Sequence, residues 1–187
     1  ALAEGALKPP MRRLVIVTLG IAVLAWAAFH FTRRESPPPA LRGVDSVSAG
    51  VHSVQLWFAS TAGDSLVSEP RDLVEVGTLH ERLTSLIAEL ERGPGHGGVR
   101  TLPAGTALLH VYLDDRGLLT VDLSHAFQEN FRGGTGTENL VIGSLVRTLS
   151  ANMPEVRQLL IVCGGAPLPS LGGHLPLDRP LDVTDWP

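Results

Sequence analysis

The chain has 187 residues, room for one compact domain with an appendage; at 44% hydrophobic it can bury a core, and 18% charged is low for a freely soluble domain. Its 20 glycines and 14 prolines are too few for collagen or wholesale disorder, and a single cysteine, Cys163, excludes an internal disulfide framework and a four-cysteine zinc site. The net charge of −4 is divided: residues 1–43 hold six Lys/Arg against two Glu, residues 44–187 nine Arg against seventeen Asp/Glu, and an acidic body excludes a nucleic-acid binder, whose contact surface must be cationic.

Leu14 to Phe31 spells LVIVTLGIAVLAWAAFHF, without a charge and with only Thr18 and His30 polar. As a helix this spans roughly 27 Å, about the thickness of a hydrocarbon core. Lys8, Arg12 and Arg13 precede it, Arg33 and Arg34 follow, and Trp26, Phe29 and Phe31 sit at its far end. The expectation is a transmembrane signal anchor over 14–31, with residues 1–13 a cytoplasmic N-terminus or a start-site extension before Met11. The rival is a cleaved signal peptide, with Leu14–Leu24 as the apolar region and Ala25-Trp26-Ala27 as the cleavage site. Either way the body is exported, and no cysteine lies at the end of the stretch to take a lipid. Residues 32–52, with Pro37-Pro38-Pro39 at the centre, form a Pro-rich linker, semi-extended and long enough to hold the body away from the membrane.

Val54–Ala59 is a short apolar run expected as a strand, and Leu66–Val76 a second one whose Pro70 demands an edge or a bulge. Thr78 and Glu81 spell a capping box, and Leu79, Leu83, Leu86, Ile87 and Leu90 place one apolar stripe on a helix over 79–91, ended by Gly93-Pro94. Val99–Leu102 is expected to be extended. Ala107–Leu113 and Leu118–Leu123 alternate around Asp114-Asp115-Arg116-Gly117, a β-hairpin signal in which Leu109, Val111 and Leu113 share one face, as do Leu119, Val121 and Leu123. Ser124–Phe131 predicts a short helical turn. Thr135 or Thr137 then caps a deeply buried helix over about 138–152, which Pro154 stops. Val156–Cys163 predicts a central strand and Gly164–Pro187 a loop-rich tail. The fold class is therefore α+β, β-β-α-β-β-α-β, two helices packed on one face of a small mixed sheet, preceded by one transmembrane helix.

No residue constellation predicts catalysis. Asp122, Ser124 and His125 are neighbours on a strand that points the first two one way and the third the other, and no G-x-S-x-G elbow is present. Asp122 and Ser124 are expected to cap the turn leaving the hairpin. Cys163 before Gly164-Gly165 is expected to be a small buried residue. Gly133-Gly134-Thr135-Gly136-Thr137 precedes a helix but lacks the lysine and spacing of a phosphate cradle. His52, His80, His96, His110, His125 and His174 show no H-E-x-x-H or H-x-H cluster, and His30 lies in the apolar span. Asp114-Asp115 form a turn rather than a carboxylate pair. No catalytic, cofactor-binding or metal residue is expected, and no cofactor.

The order of motifs carries more information than any one of them. Val54–Phe58, Ser68-Glu69-Pro70-Arg71, a helix ending Leu90-Glu91-Arg92-Gly93-Pro94, and Leu102-Pro103-Ala104-Gly105-Thr106 come first. Thr120–Ser124 with Phe127, Gly136-Thr137-Glu138, Leu145–Leu149, Val156–Val162 closing at Gly164-Gly165, and Leu177–Leu181 follow. In this sequence order the chain resembles the GerMN domain family of sporulation and spore germination, over roughly residues 53–180. The resemblance implies a GerMN-like extracytoplasmic domain over 53–187, an exported and membrane-tethered envelope module with no established catalytic residues. Its implied partners are an envelope protein complex or peptidoglycan, and its fold is similar to the ring-building modules of secretion-type assemblies. One copy of the domain, an anchor in place of a lipidated cysteine and no accompanying hydrolase domain depart from many relatives. The expected function is non-enzymatic assembly, with docking through a sheet edge, the strand around Pro70, or the loops at 93–106 and 132–138. The alternative is a peptidoglycan hydrolase or hydrolase accessory using Asp122, Glu138 or Cys163; a small-ligand binder is a weaker third reading.

Overall fold

The structure is a computed structural model and describes residues 50–74 and 77–186. The expected anchor 14–31, the residues before it, most of the Pro-rich linker and the end of the second predicted strand, Glu75-Val76, lie outside the described residues. Among the described residues no helix is long and apolar enough to cross a membrane.

Strands β1 (Val51–Ala59) and β2 (Leu66–Val74) form an antiparallel hairpin in continuous register from Val51 opposite Val74 to Ala59 opposite Leu66. Val54, Leu56 and Phe58 alternate into the core, as a strand with one buried face requires. Helix α1 (Leu79–Arg92) starts at the predicted capping box: the Glu81 amide donates to Thr78 Oγ1 at 3.2 Å and the Thr78 amide to Glu81 Oε2 at 3.0 Å. Leu83, Leu86, Ile87 and Leu90 bury its apolar stripe. Gly93 ends it at a φ of 94°, its amide bonded to the carbonyls of Glu89 and Leu90. The stretch expected to be extended at Val99–Leu102 makes one bridge, Val99 to Ala59, and no strand.

Strands β3 (Leu108–Leu113) and β4 (Leu118–Leu123) are the predicted hairpin. Gly117 closes its turn at a φ of 84°, and a Cβ there would stand 2.5 Å from the Glu155 carbonyl oxygen. The shared face of Leu109, Val111 and Leu113 needs a correction. A bulge between Leu108 and His110 pairs Leu108 with Leu123, so Leu108 turns to the core and Leu109 to solvent.

Helix α2 (Ala126–Glu129) is the short predicted turn, and α3 (Thr135–Asn152) begins three residues earlier than expected. Its N-cap is Gly134, whose carbonyl accepts the Glu138 amide at 2.9 Å, and neither threonine supplies a side-chain cap because both lie inside the helix. Strand β5 (Gln158–Cys163) runs parallel to β4, with α3 as the crossover. The tail supplies two short strands, β6 (Ala166–Pro167) and β7 (Leu181–Asp182), which pair with opposite ends of the free side of β5. A 3-10 turn, Val183–Asp185, follows.

Among the described residues the architecture is α+β, but the single expected sheet is two: β1-β2, and β3-β4-β5 with β6 and β7. The division arises at β1. Its second edge is met by side chains of α3 where a strand would otherwise pair. Asn152 accepts from the Gln55 amide and donates to the Gln55 carbonyl, Thr148 accepts from the Trp57 amide, and Ser144 donates to the Trp57 carbonyl. The Ala59 amide and carbonyl bond to Val99. Three residues spaced four apart on α3 thus replace a strand. Both sheets and both long helices contribute to one core, in which Leu56, Phe58, Leu83, Leu119, Leu123, Ile142, Leu145 and Leu159 are fully buried. β2 and β3 are left as edges, and Pro70, opposite Gln55, lies with its backbone outward, so the edge reading holds and the bulge does not.

Candidate functional site

At the C-terminal end of β4 and β5 the structure gathers Asp122, Ser124, His125 and Cys163, the residues weighed for nucleophilic chemistry. They do not form a relay. The Ser124 hydroxyl donates to the Gly105 carbonyl and accepts from the Ala107 amide, both at 3.1 Å, so it ties the hairpin to the Pro103–Thr106 turn. Asp122 accepts from the Gly165 amide at 2.9 Å through one oxygen and meets His110 Nδ1 at 3.1 Å through the other. These two residues therefore brace loops from distant parts of the chain, where a cap on the turn leaving the hairpin was expected. His125 is exposed and its ring lies against Gly164.

Cys163 is buried, its Sγ 3.4 Å from the Ser124 carbonyl oxygen. Burial pushes its thiol pKa up, and the nearby carboxylates of Asp122 and Glu129 push the same way. A thiol kept protonated is a poor nucleophile, as the sequence implied. The pair that sequence reasoning missed is His110–Asp122: a buried carboxylate orients an imidazole whose side chain is 84% exposed. Its residues sit opposite each other across the hairpin, so the register of the two strands was the signal that could have found it.

A second cluster explains the Ser68-Glu69-Pro70-Arg71 motif. The Arg71 guanidinium lies between Glu69 and Glu89, 2.6 Å from Glu89 Oε2, and donates to the Gly93 carbonyl at 3.1 Å. It also stands 5.8 Å from the Phe58 ring centroid. Glu69 in turn accepts from the amides of Gly95 and His96. Burial raises the Glu69 pKa, but the hydrogen bonds from Arg71 and these amides outweigh it and hold the carboxyl below its ordinary range. The motif therefore staples β2 to the carbonyl end of α1, where a cation is also favoured by the helix dipole. Beside this staple β2 and the 92–96 loop frame an open cleft of about 410 Å³.

The third cluster is centred on Glu138, which is fully buried in the first turn of α3. One oxygen accepts from the amides of Leu171 and Gly172 at 3.0 and 2.8 Å, the other from His174 at 3.1 Å. Burial opposes its charge, yet these amides, with that of Leu175, lower its pKa. Gly172 leaves room for the carboxylate and for the Phe131 ring: a Cβ there would meet Phe131 at 2.8 Å. The Gly133–Thr137 segment, expected as a loop, is half helical, and Thr137 packs onto Gly133. Asp114 caps its own turn through the amides of Arg116 and Leu118. Among the described residues no group of three His, Cys, Asp or Glu side chains is placed to hold a metal ion.

The polar residues of the motifs are thus engaged with the backbone of their own chain. The fold that holds them has known counterparts. The family model for Germane, sporulation and spore germination, matches residues 55–169. The fold is similar to the tandem GerMN domains of the sporulation protein GerM from Bacillus subtilis, at 19% identity and a TM-score of 0.58, over 73% of this chain and 48% of that one. The chain therefore spans about half the length of that tandem structure. The first GerMN domain of the same protein matches at 18% identity and a TM-score of 0.53, over 70% of this chain and 97% of that one. A Clostridium perfringens protein described as a candidate lipoprotein matches at 20% identity and a TM-score of 0.50, over 73% and 90%. At these identities the likeness shows the fold alone. No curated protein matches the chain.

Proposed function

The chain belongs to the Germane family of sporulation and spore germination, and from that membership we propose that it is a non-enzymatic, membrane-tethered module of the cell envelope that works by docking to other envelope components. The observation that carries this reading is the use made of the motif residues. Glu69, Arg71, Ser124 and Glu138 each bind backbone groups of distant segments, which holds the fold and leaves none of them free to attack or protonate a substrate. The tether is the apolar span at 14–31, and the Pro-rich linker sets the reach of the body from the membrane.

Two of the surfaces expected to dock, the strand around Pro70 and the start of the 93–106 loop, adjoin one another at the cleft beside Arg71. β2 is an edge strand there, and a partner strand would meet outward backbone groups at Ser68 and Asp72 on either side of a proline that offers no N–H. A photo-crosslinking side chain at Asp72 in the full chain, activated in intact cells, is expected to give a discrete membrane-associated product. The same probe at Arg116, in the distant hairpin turn, is expected to give none. Recovery of the chain from the cytosol, or identical products from both positions, would remove this reading.

The hydrolase reading has one observation in its favour, the His110–Asp122 pair, which is the orienting half of a general base. Against it stands the 84% exposure of that imidazole, which leaves it without surrounding walls to position a substrate. Digestion of purified peptidoglycan by the chain, abolished by Asp122→Ala in a protein that still melts normally, would establish the hydrolase instead.

A further inference from the structure

The tail builds a groove that Gln158, Arg179, Pro180 and Leu181, residues of the last two motifs, help to line and that the three clusters above leave unused. It encloses about 650 Å³ between the start of α3, the start of β5 and residues 175–186. One wall carries Trp186, part-buried, which the Asp182 cap on the 3-10 turn places there: Asp182 Oδ1 accepts from the Thr184 amide and hydroxyl. The indole lies against α3 at Gly143, where a Cβ would stand 3.1 Å from ring carbon Cε3. The same Cβ would meet Leu66 Cδ1 at 3.0 Å, so this helical glycine gives room to the ring and to Leu66 together. The side chains of Asn139, Gln158, Arg179 and Asp185 line the same groove, and none of them makes a hydrogen bond or ion pair among the described residues. Leu175 and Pro180 supply apolar contact beside them.

We propose that this groove is a saccharide-binding site, in which a pyranose ring lays its C–H face on Trp186 and its hydroxyls bond to Asn139 and Gln158. The chemistry selects the class. Side-chain amides both donate and accept, which matches hydroxyl groups that do the same, and an indole is a large apolar surface with little conformational entropy to lose. One cation, Arg179, shares the groove with two carboxylates, Asp182 and Asp185, so the groove carries no excess positive charge to hold a phosphate or a peptide carboxylate. A purely apolar ligand would strip water from five polar side chains without replacing its hydrogen bonds. A volume of this size lies within the usual range for a small-ligand site.

The choice of sugar rests on the envelope reading above, and the probe is chitotetraose, a β-linked N-acetylglucosamine tetramer, with cellotetraose beside it. In calorimetric titration of the full chain in detergent, one of these is expected to bind with a Kd below about 1 mM. Asn139→Ala with Gln158→Ala alters two exposed, unbonded side chains, so the melting temperature is expected to stay unchanged while affinity falls at least tenfold. Trp186→Ala is expected to do the same to affinity, and Trp186→Phe to keep part of it. Absence of binding by both saccharides, equal affinity in the Asn139/Gln158 double variant, or tighter binding of the free stem peptide of peptidoglycan would overturn the assignment. A negative titration leaves the cross-link at Asp72 untouched, and a cytosolic chain leaves the titration untouched, so the two readings fail separately.

Discussion

Glu138 keeps its charge in a place from which water is excluded, because three backbone amides of Leu171–His174 replace the water. Removing the carboxylate orphans those amides, and each buried unmet N–H costs about 1–3 kcal/mol. Glu138→Ala is therefore expected to lose at least about 3 kcal/mol in urea unfolding at neutral pH, and Glu138→Gln somewhat less, since the glutamine carbonyl still accepts. The same residue sets an acid limit. Its carboxyl titrates near 4.5 when unfolded and lower when folded, so its stabilisation is complete above that value and drains as pH falls through the folded pKa. Stability measured from neutral pH down to about pH 3 is expected to fall more steeply in the native chain than in Glu138→Gln, with the residual slope in the variant owed partly to Glu69, lowered likewise. A parallel decline would show that Glu138 is not the group responsible. The sequence marked Glu138 through its motif, but its partners lie more than thirty residues away, and no local pattern announces them.

Thr148, with Ser144 and Asn152, does for β1 what a neighbouring strand does elsewhere. Substituting Thr148→Val keeps the shape and deletes the acceptor for the Trp57 amide, an expected loss of about 1–2 kcal/mol. Thr84→Val is the matched control: its hydroxyl bonds only to the His80 carbonyl on an exposed helix face, and the change is expected within about 0.5 kcal/mol. Equal effects in the two variants would deny α3 its role as an edge cover. This contrast also explains which elements were legible. The capping box of α1 and the Asp114–Gly117 turn involve partners three or four residues apart, so their residue types alone specify them. The edge ladder uses three ordinary polar residues whose partners are nearly a hundred residues distant. Nothing in the spacing of Ser144, Thr148 and Asn152 distinguishes them from a solvated stripe, which is why one sheet was expected where there are two. The Leu108 bulge was hidden for a similar reason: alternation predicts a face but not the residue at which a strand slips.

On the scale of the whole molecule, one core joins α1, α3 and both sheets, and the family order of motifs was legible because its members supply residues to that core, among them Phe58, Leu90, Leu102, Phe127, Leu145 and Leu177. The groove around Trp186 was not, since it is assembled from the tail, α3 and β5, none of which carries a sequence signal for it. A single shared core implies that the described body opens as one unit, and Cys163, 4% exposed within β5, is a natural reporter of that opening. Its Sγ is shielded by burial and held protonated, so a neutral alkylating reagent must wait for the strand to leave the sheet. For a stability of about 5 kcal/mol the open fraction is near one in several thousand, and alkylation is expected to run at least about a thousandfold slower than in denatured chain. The urea dependence of that rate then distinguishes two ways of opening. If β5 separates only with the whole core, the rate rises with the slope of global unfolding. If the tail strands β6 and β7 peel away and uncover Cys163 alone, the dependence is shallow, and Glu138→Gln, which loosens the Leu171–His174 loop between those strands, accelerates alkylation far more than its loss of global stability accounts for. Cys163 also pairs with Leu123 and holds its Sγ against the Ser124 carbonyl, contacts that peeling of the two-residue tail strands leaves in place, so the first outcome is expected.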